Sequence, residues 1–212
     1  MDQEFWHTKW RANEIGFHQA EIHPLLLTCW PKLKLARGSR VLVPLCGKSQ
    51  DLRWLLDAGF DVLGIELSEL AVTAFFAEND LRPVLDSCGP FRRYQVARLC
   101  ILCGDFMQAR AEDIGYSAAV YDRAALIALR PPLRREYVSI LSGLLGVGGK
   151  GLLICVDYPR GSVTPPPFIV EATELNELYG TWCELVEVER RTADVKGFAA
   201  EERAYEFLAR GN

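Results

Sequence analysis

The apolar and polar positions divide the chain into short apolar runs alternating with amphipathic stretches. Arg40 to Leu45 is a compact run rich in β-branched valine, bounded by Gly38-Ser39 and Cys46-Gly47, which predicts a strand buried on both faces. Ser49 stands where it can cap a helix whose Leu52, Leu55 and Leu56 share one face and which stops at Gly59. A second apolar run, Asp61 to Glu66, follows. The alternation continues with a helix from Ser68 to Glu78, its Leu70, Ala71, Ala74 and Phe75 expected on the sheet, and with strands Leu99–Cys103 and Ala118–Tyr121. Pro131 and Pro132 open a helix predicted to run through Leu145. Gly146, Gly148, Gly149 and Gly151 then predict a loop before a strand from Leu152 to Val156.

Three segments depart from this rhythm. Between Leu81 and Arg98, Pro83, Gly89 and Pro90 surround the strand-like Tyr94-Gln95-Val96, as in an inserted hairpin. Asp157 to Phe168 holds four prolines and reads as a stiff surface loop forming one wall of a substrate site. After a helix from Glu174 to Tyr179, Trp182–Glu189 and Ala204–Leu208 alternate apolar and polar residues like an antiparallel hairpin. Five parallel strands and this hairpin predict an α/β fold: a doubly wound, seven-stranded, mostly parallel sheet in one domain spanning residues 1–212. Ahead of the first strand, Asp2 can cap a helix carrying Phe5, Trp6 and Trp10, and a short helix runs from Pro24 to Trp30, so residues 1–35 form a helical cap.

The turn after the first strand indicates the ligand. Glu66 lies about 20 residues beyond Gly47, where a βαβ nucleotide site places the acidic residue that holds both ribose hydroxyls. A dinucleotide site needs several glycines to approach a pyrophosphate, and here Gly47 is alone; Gly47-Lys48-Ser49 imitates a phosphate loop, but Leu42 stands where that loop needs glycine. A ribose-bearing cofactor without a phosphate fits this turn better, and S-adenosylmethionine is the common one. Gly104-Asp105 ends a strand at the same rim, placing Asp105 to accept from an adenine amino group. Asp122-Arg123 ends another, which predicts that both charges face the pocket.

Composition narrows the partners. A net charge of −4, a pI near 5.5 and no basic block argue against nucleic acid or an anionic membrane. No apolar run approaches the length of a bilayer span and no signal-peptide core is present, so a small-molecule substrate, the cytoplasm and a monomer are expected. The seven scattered cysteines and three early histidines form no disulfide framework and no metal set.

Val43-Pro44-Leu45-Cys46-Gly47-Lys48-Ser49, Gly64-Ile65-Glu66-Leu67-Ser68-Glu69-Leu70 and Tyr121-Asp122-Arg123-Ala124-Ala125-Leu126 resemble the signature blocks of bacterial thiopurine S-methyltransferases. Trp10, Gly16-Phe17-His18 and Pro166-Pro167-Phe168 are similar to that family's capping segments. The resemblance implies the class I S-adenosylmethionine-dependent methyltransferase fold, with cofactor contacts at Trp10, Leu45, Glu66, Asp105 and Arg123 and substrate contacts at Phe17 and Arg123. It implies methyl transfer to the sulfur of thiopurines or related thiols, by in-line displacement without a metal, and bacterial members are associated with methylating selenium and tellurium species. No side chain is assigned as a general base, although Asp122 is a weak candidate. An NAD-dependent oxidoreductase and a non-catalytic S-adenosylmethionine-binding regulator are the competing readings.

Overall fold

The computed structural model describes residues 3–210. Five parallel strands form its centre: β1 (Arg40–Pro44), β2 (Asp61–Glu66), β5 (Leu99–Cys103), β6 (Ser117–Arg123) and β7 (Leu145–Asp157). Strands β3 (Val84–Cys88) and β4 (Phe91–Val96) add antiparallel to one side, and β9 (Phe198–Ala209) and β8 (Cys183–Val195) to the other. The sheet order is β3-β4-β5-β2-β1-β6-β7-β9-β8.

The inserted hairpin is therefore part of the sheet, which has nine strands, the expected seven among them. The connection from β4 to β5 is two residues long, so Val96 pairs with Leu99 and the hairpin covers an edge that β5 would otherwise expose. Both sheet edges are thus hairpin strands.

Period-two alternation sends successive side chains of each central strand to opposite faces. Val41, Val43, Val62, Ile101 and Tyr121 enter one core with α2 (Pro24–Cys29), α3 (Gln50–Asp57) and α4 (Glu69–Glu78). Leu42, Leu63, Leu102, Val120 and Leu153 enter the other with α6 (Pro131–Leu144) and α7 (Ala172–Tyr179). Between β5 and β6 lies a single turn of helix, α5 (Ala111–Ile114). The cap helix α1 (Gln3–Arg11) buries none of its residues, and the expected Asp2 cap lies outside the described residues. Ser49 caps α3 through a bond from the Asp51 N–H (3.2 Å), and Gly59 follows that helix at φ +100°. In α4 the buried side chains are Ala71, Val72, Phe75 and Phe76, whereas Leu70 is 53% exposed: at the second helical position it points away from the sheet.

Two boundaries also shift. Helix α6 ends at Leu144 and β7 starts at once, so Gly146–Gly151 lie in the strand, with a register break against β6 instead of a loop. Strands β8 and β9 run well past the alternating apolar segments as a long ribbon, held by charged pairs such as Arg190–Glu201 and Arg191–Glu202 rather than by a buried face.

Gly151 stands opposite Phe207, whose ring crosses the space a side chain would fill: a Cβ at residue 151 would come within 1.9 Å of the ring. Phe207 is 2% exposed and packs on Tyr179 and Trp182. Gly151→Ala should lower stability in urea by about 1–3 kcal/mol, because this aromatic cluster must move. An unchanged urea midpoint would show that the ring has room to spare.

Candidate functional site

The chain runs from β1 outward through β2 to β5, then returns to the other side of β1 for β6 and β7. Such a reversal leaves a crevice at the carboxyl ends of the two strands it separates, here β1 and β6. Leu45 follows β1 with φ +47° and Ala124 follows β6 with φ +62°. Non-glycine residues avoid this left-handed region, and paired departures at the mouth of one crevice mark a functional site.

Between them lies Gly47, at φ +55°. A Cβ here would sit 3.3 Å from the Trp10 ring, so the cap rests directly on the turn. The Gly47 N–H donates to Glu66 Oε2 (2.8 Å) and the Ser68 N–H to Glu66 Oε1 (2.7 Å). Ser68 makes no side-chain cap; its backbone is held by Glu66 instead. The carboxylate is 5% exposed, and burial raises its pKa against the opposing N–H bonds. Two engaged oxygens still leave two lone pairs free, enough for a vicinal diol. Lys48, at the cavity lining, is paired with Glu78 (2.6 Å) and Ser49 is spent on its helix, so both groups of the phosphate-loop imitation are already engaged.

Above the turn opens a cavity of about 620 Å³, within the range of small-molecule sites. Trp6, Trp10 and Phe17 form its roof, with Phe17 edge-on to both indoles at 5.6 and 5.5 Å. One wall is the proline loop, Pro165–Pro167, beside Asp194, Val195 and Lys196 of the β8–β9 turn. At the floor, Tyr121 donates to Asp51 Oδ2 (2.9 Å), which also holds the His23 N–H through Oδ1 (2.8 Å), while His23 Nε2 meets Glu202 Oε1 at 3.1 Å. Burial and then Glu66 push the Cys46 thiol well above its ordinary pKa, which works against a thiolate here. Burial and then Lys48 lower the pKa of His18.

The structure brings Trp10, Phe17, Leu45, Glu66 and Arg123 together around this cavity. The Arg123 side chain lines the cavity and makes no hydrogen bond or ion pair with any described residue, although it lies close enough to Glu202 to act on that carboxylate. Asp105 is elsewhere: its carboxylate caps the turn at Met107 (3.0 Å) and accepts from Gln3 of α1 (2.8 Å), outside the cavity lining. Asp122 corrects the expectation for the Asp-Arg pair. Adjacent strand residues point to opposite faces, so Asp122 is fully buried under α6, accepting from Tyr137 (2.7 Å) and the Leu126 N–H (3.2 Å), and is no base for the site. Sequence reasoning missed Trp6, although its spacing from Trp10 signals a shared face. It also missed the β8–β9 turn, announced by Asp194 and Gly197, and the floor carboxylates Asp51 and Glu202, which carried no local signal.

A reversal-point crevice with one glycine, a ribose-type carboxylate and no phosphate cradle defines the S-adenosylmethionine-dependent methyltransferase class. The same fold is present in the 1,6-didemethyltoxoflavin-N1-methyltransferase of Burkholderia thailandensis, solved with 1,6-didemethyltoxoflavin and S-adenosylhomocysteine: TM-score 0.70 over 99% of this chain and 87% of that one, at 13% identity. More particularly, the chain belongs to the thiopurine S-methyltransferase family, whose sequence profile matches residues 1–209. It is 46% identical over 211 residues to a thiopurine S-methyltransferase of Pseudomonas aeruginosa strain UCBPP-PA14, covering 100% of this chain and 94% of that protein. To one of Azotobacter vinelandii strain DJ it is 51% identical over 181 residues, covering 85% and 83%. Its methyl donor is S-adenosylmethionine.

Because Glu66 both ties two backbone turns and offers free lone pairs, Glu66→Ala should weaken S-adenosylhomocysteine binding by about 1.5–3 kcal/mol and lower ligand-free stability by about 1–3 kcal/mol. Calorimetry and melting on the same variant check both; loss of stability with unchanged affinity would make Glu66 purely structural. Asp122 gives a pH signature. Burial pushes its pKa up to about 6, against the Tyr137 hydroxyl and backbone N–H groups that lower it. Its ordinary value is about 3.9, so between these two pH values the native state holds more protons than the unfolded one. Stability from this group therefore falls as pH rises through that window and levels above it. Asp122→Asn should remove that decline, read as urea midpoints converging on the wild type at low pH and exceeding it near neutrality; a pH-independent difference would refute it.

Proposed function

We propose that the protein moves the methyl group of S-adenosylmethionine to the sulfur of thiopurines or related small heterocyclic and aromatic thiols. The observation that carries this reading is Arg123, a cation whose guanidinium is in no ion pair with a described residue, lining a cavity roofed by three aromatic rings. Bound S-adenosylmethionine supplies an activated methyl on a sulfonium. Leu45, Glu66 and Trp10 would hold it at the glycine turn, and Phe17 and the proline wall would keep a flat ring beside it.

Arg123 favours the anionic form of a thiol, so the nucleophile enters with its proton already lost to solvent and with more charge on sulfur. Holding donor and acceptor in line within an apolar cavity supplies the main acceleration, up to about 7–11 kcal/mol where alignment is good. No general base is assigned. Selenium and tellurium anions are softer nucleophiles of the same charge type, and we extend the proposal to them on the same cation. The acidic balance, net charge −4, favours small molecules over nucleic acid, and we read the chain as a cytoplasmic monomer of one domain. Among the described residues, no helix is long and apolar enough to cross a membrane.

Transfer of tritiated methyl to a panel of thiols tests the reading. Arg123→Ala should lower kcat/KM for thiopurine by about tenfold to a hundredfold, the loss of a charge-assisted contact, with an unchanged melting temperature. Arg123→Lys should recover part of it, since a point charge cannot reproduce a planar fork. Normal turnover by Arg123→Ala would remove Arg123 from the site. Tight adenosyl binding by the wild type without methylation of any thiol would favour the regulator.

A further inference from the structure

Thr164-Pro165-Pro166-Pro167 forms one wall of the cavity, with Pro165 and Pro166 close to Trp6 of the aromatic roof, yet it is poorly equipped to hold itself in place. Three consecutive prolines carry no N–H, so this stretch cannot build a backbone ladder and its carbonyls depend on outside donors. Two side chains supply them. Tyr158 donates its hydroxyl to Pro167 O (2.6 Å), from the start of the same loop. Lys196 donates its ammonium to both Thr164 O (2.7 Å) and Pro166 O (2.8 Å), from about 30 residues further along the chain.

Lys196 is displayed on a stiff support. Val195 pairs with Phe198, leaving Lys196 and Gly197 as a two-residue turn at φ +55° and +84°, the combination that continues the twist of the flanking strands. The Asp194 carboxylate fixes the turn by accepting the Gly197 N–H (2.7 Å). Lys196 has no ion-pair partner among the described residues, and no other hydrogen bond joins this turn to the Thr164–Pro167 stretch. Asp194, Val195 and Lys196 line the cavity alongside the prolines, so one ammonium holds two of its walls together.

We propose that Lys196 is a positioning residue: its ammonium clasps the proline wall to the β8–β9 turn and thereby sets the width of the thiol pocket and the size of thiol admitted. This rests on the reading of the cavity as a thiol methyltransferase site. Without the clasp the two walls part, and an aromatic thiol loses its alignment while the glycine turn, which Lys196 does not touch, keeps its grip on the donor.

The test compares wild type with Lys196→Met, which keeps the stem and removes the donors, and Lys196→Arg, which restores donors. For Lys196→Met the KM for a small aromatic thiol should rise about five- to twentyfold, with S-adenosylhomocysteine affinity and melting temperature unchanged. The preference for small over bulky aromatic thiols should shrink, and arginine should recover part of both. A KM within about twofold of wild type would overturn the clasp, as would parallel losses of stability and adenosyl affinity. Losses confined to thiols bearing a carboxylate would also overturn it, since Lys196 would then be an anion receptor. Amide exchange gives a readout independent of activity: Lys196→Met should speed exchange at Gly197 and Phe168, the latter bonded to Ile127 O at 2.7 Å. Unchanged exchange would refute the clasp; faster exchange in a protein that methylates no thiol would keep the clasp and reject the thiol reading.

Discussion

One carboxylate holds the carboxyl edge of the sheet in its working shape. Glu66 ends β2, yet its oxygens take the N–H of Gly47 from the turn after β1 and the N–H of Ser68 from the turn after its own strand. Leu45 is held in the left-handed region just before Gly47. The raised pKa of Glu66 is the electrostatic expense of keeping this group out of water. A cap helix that buries nothing of its own can rest on Gly47 only because this turn is fixed from below.

The floor of the cavity repeats the principle with different groups. His23, Asp51, Tyr121 and Glu202 come from four distant segments, and three of them share the two oxygens of Asp51 or the ring of His23. Such a buried polar set specifies one arrangement, since each member is costly unless its neighbours are in place. It explains why α2, a helix of only six residues, is anchored at its N-cap His23 to Asp51 of α3 and through it to Tyr121 of the sheet.

The central strands were legible because both of their faces are buried, which leaves uninterrupted apolar runs, and the glycine turn with its distant Glu66 was legible because backbone geometry limits what can stand there. Legibility failed where another force took over from burial. Strands β8 and β9 extend through Glu189-Arg190-Arg191 and Glu201-Glu202-Arg203, where cross-strand charge pairing replaces apolar alternation. Asp122 and Arg123 looked alike in the sequence, but a one-residue step reverses the face, and only the register decides which of the two sees the cavity. Asp105 met a partner, Gln3, that no local pattern could announce across 102 residues.

The hairpin strands at both margins have a further consequence. A sheet of nine strands presents two open rows of backbone groups, and an open row can template the addition of a foreign strand, the first step of aggregation. Here the five parallel strands never form a margin. At one side β3 carries Val84 and Leu85 outward but interrupts them with Asp86, paired to Arg93, and is preceded by Pro83. At the other, β8 carries Glu184, Glu187 and Glu189 followed by Arg190, Arg191 and Asp194. A stray strand approaching either row meets fixed charge before it can pair, so the width that shapes the crevice does not make the protein a seed for its own polymerisation.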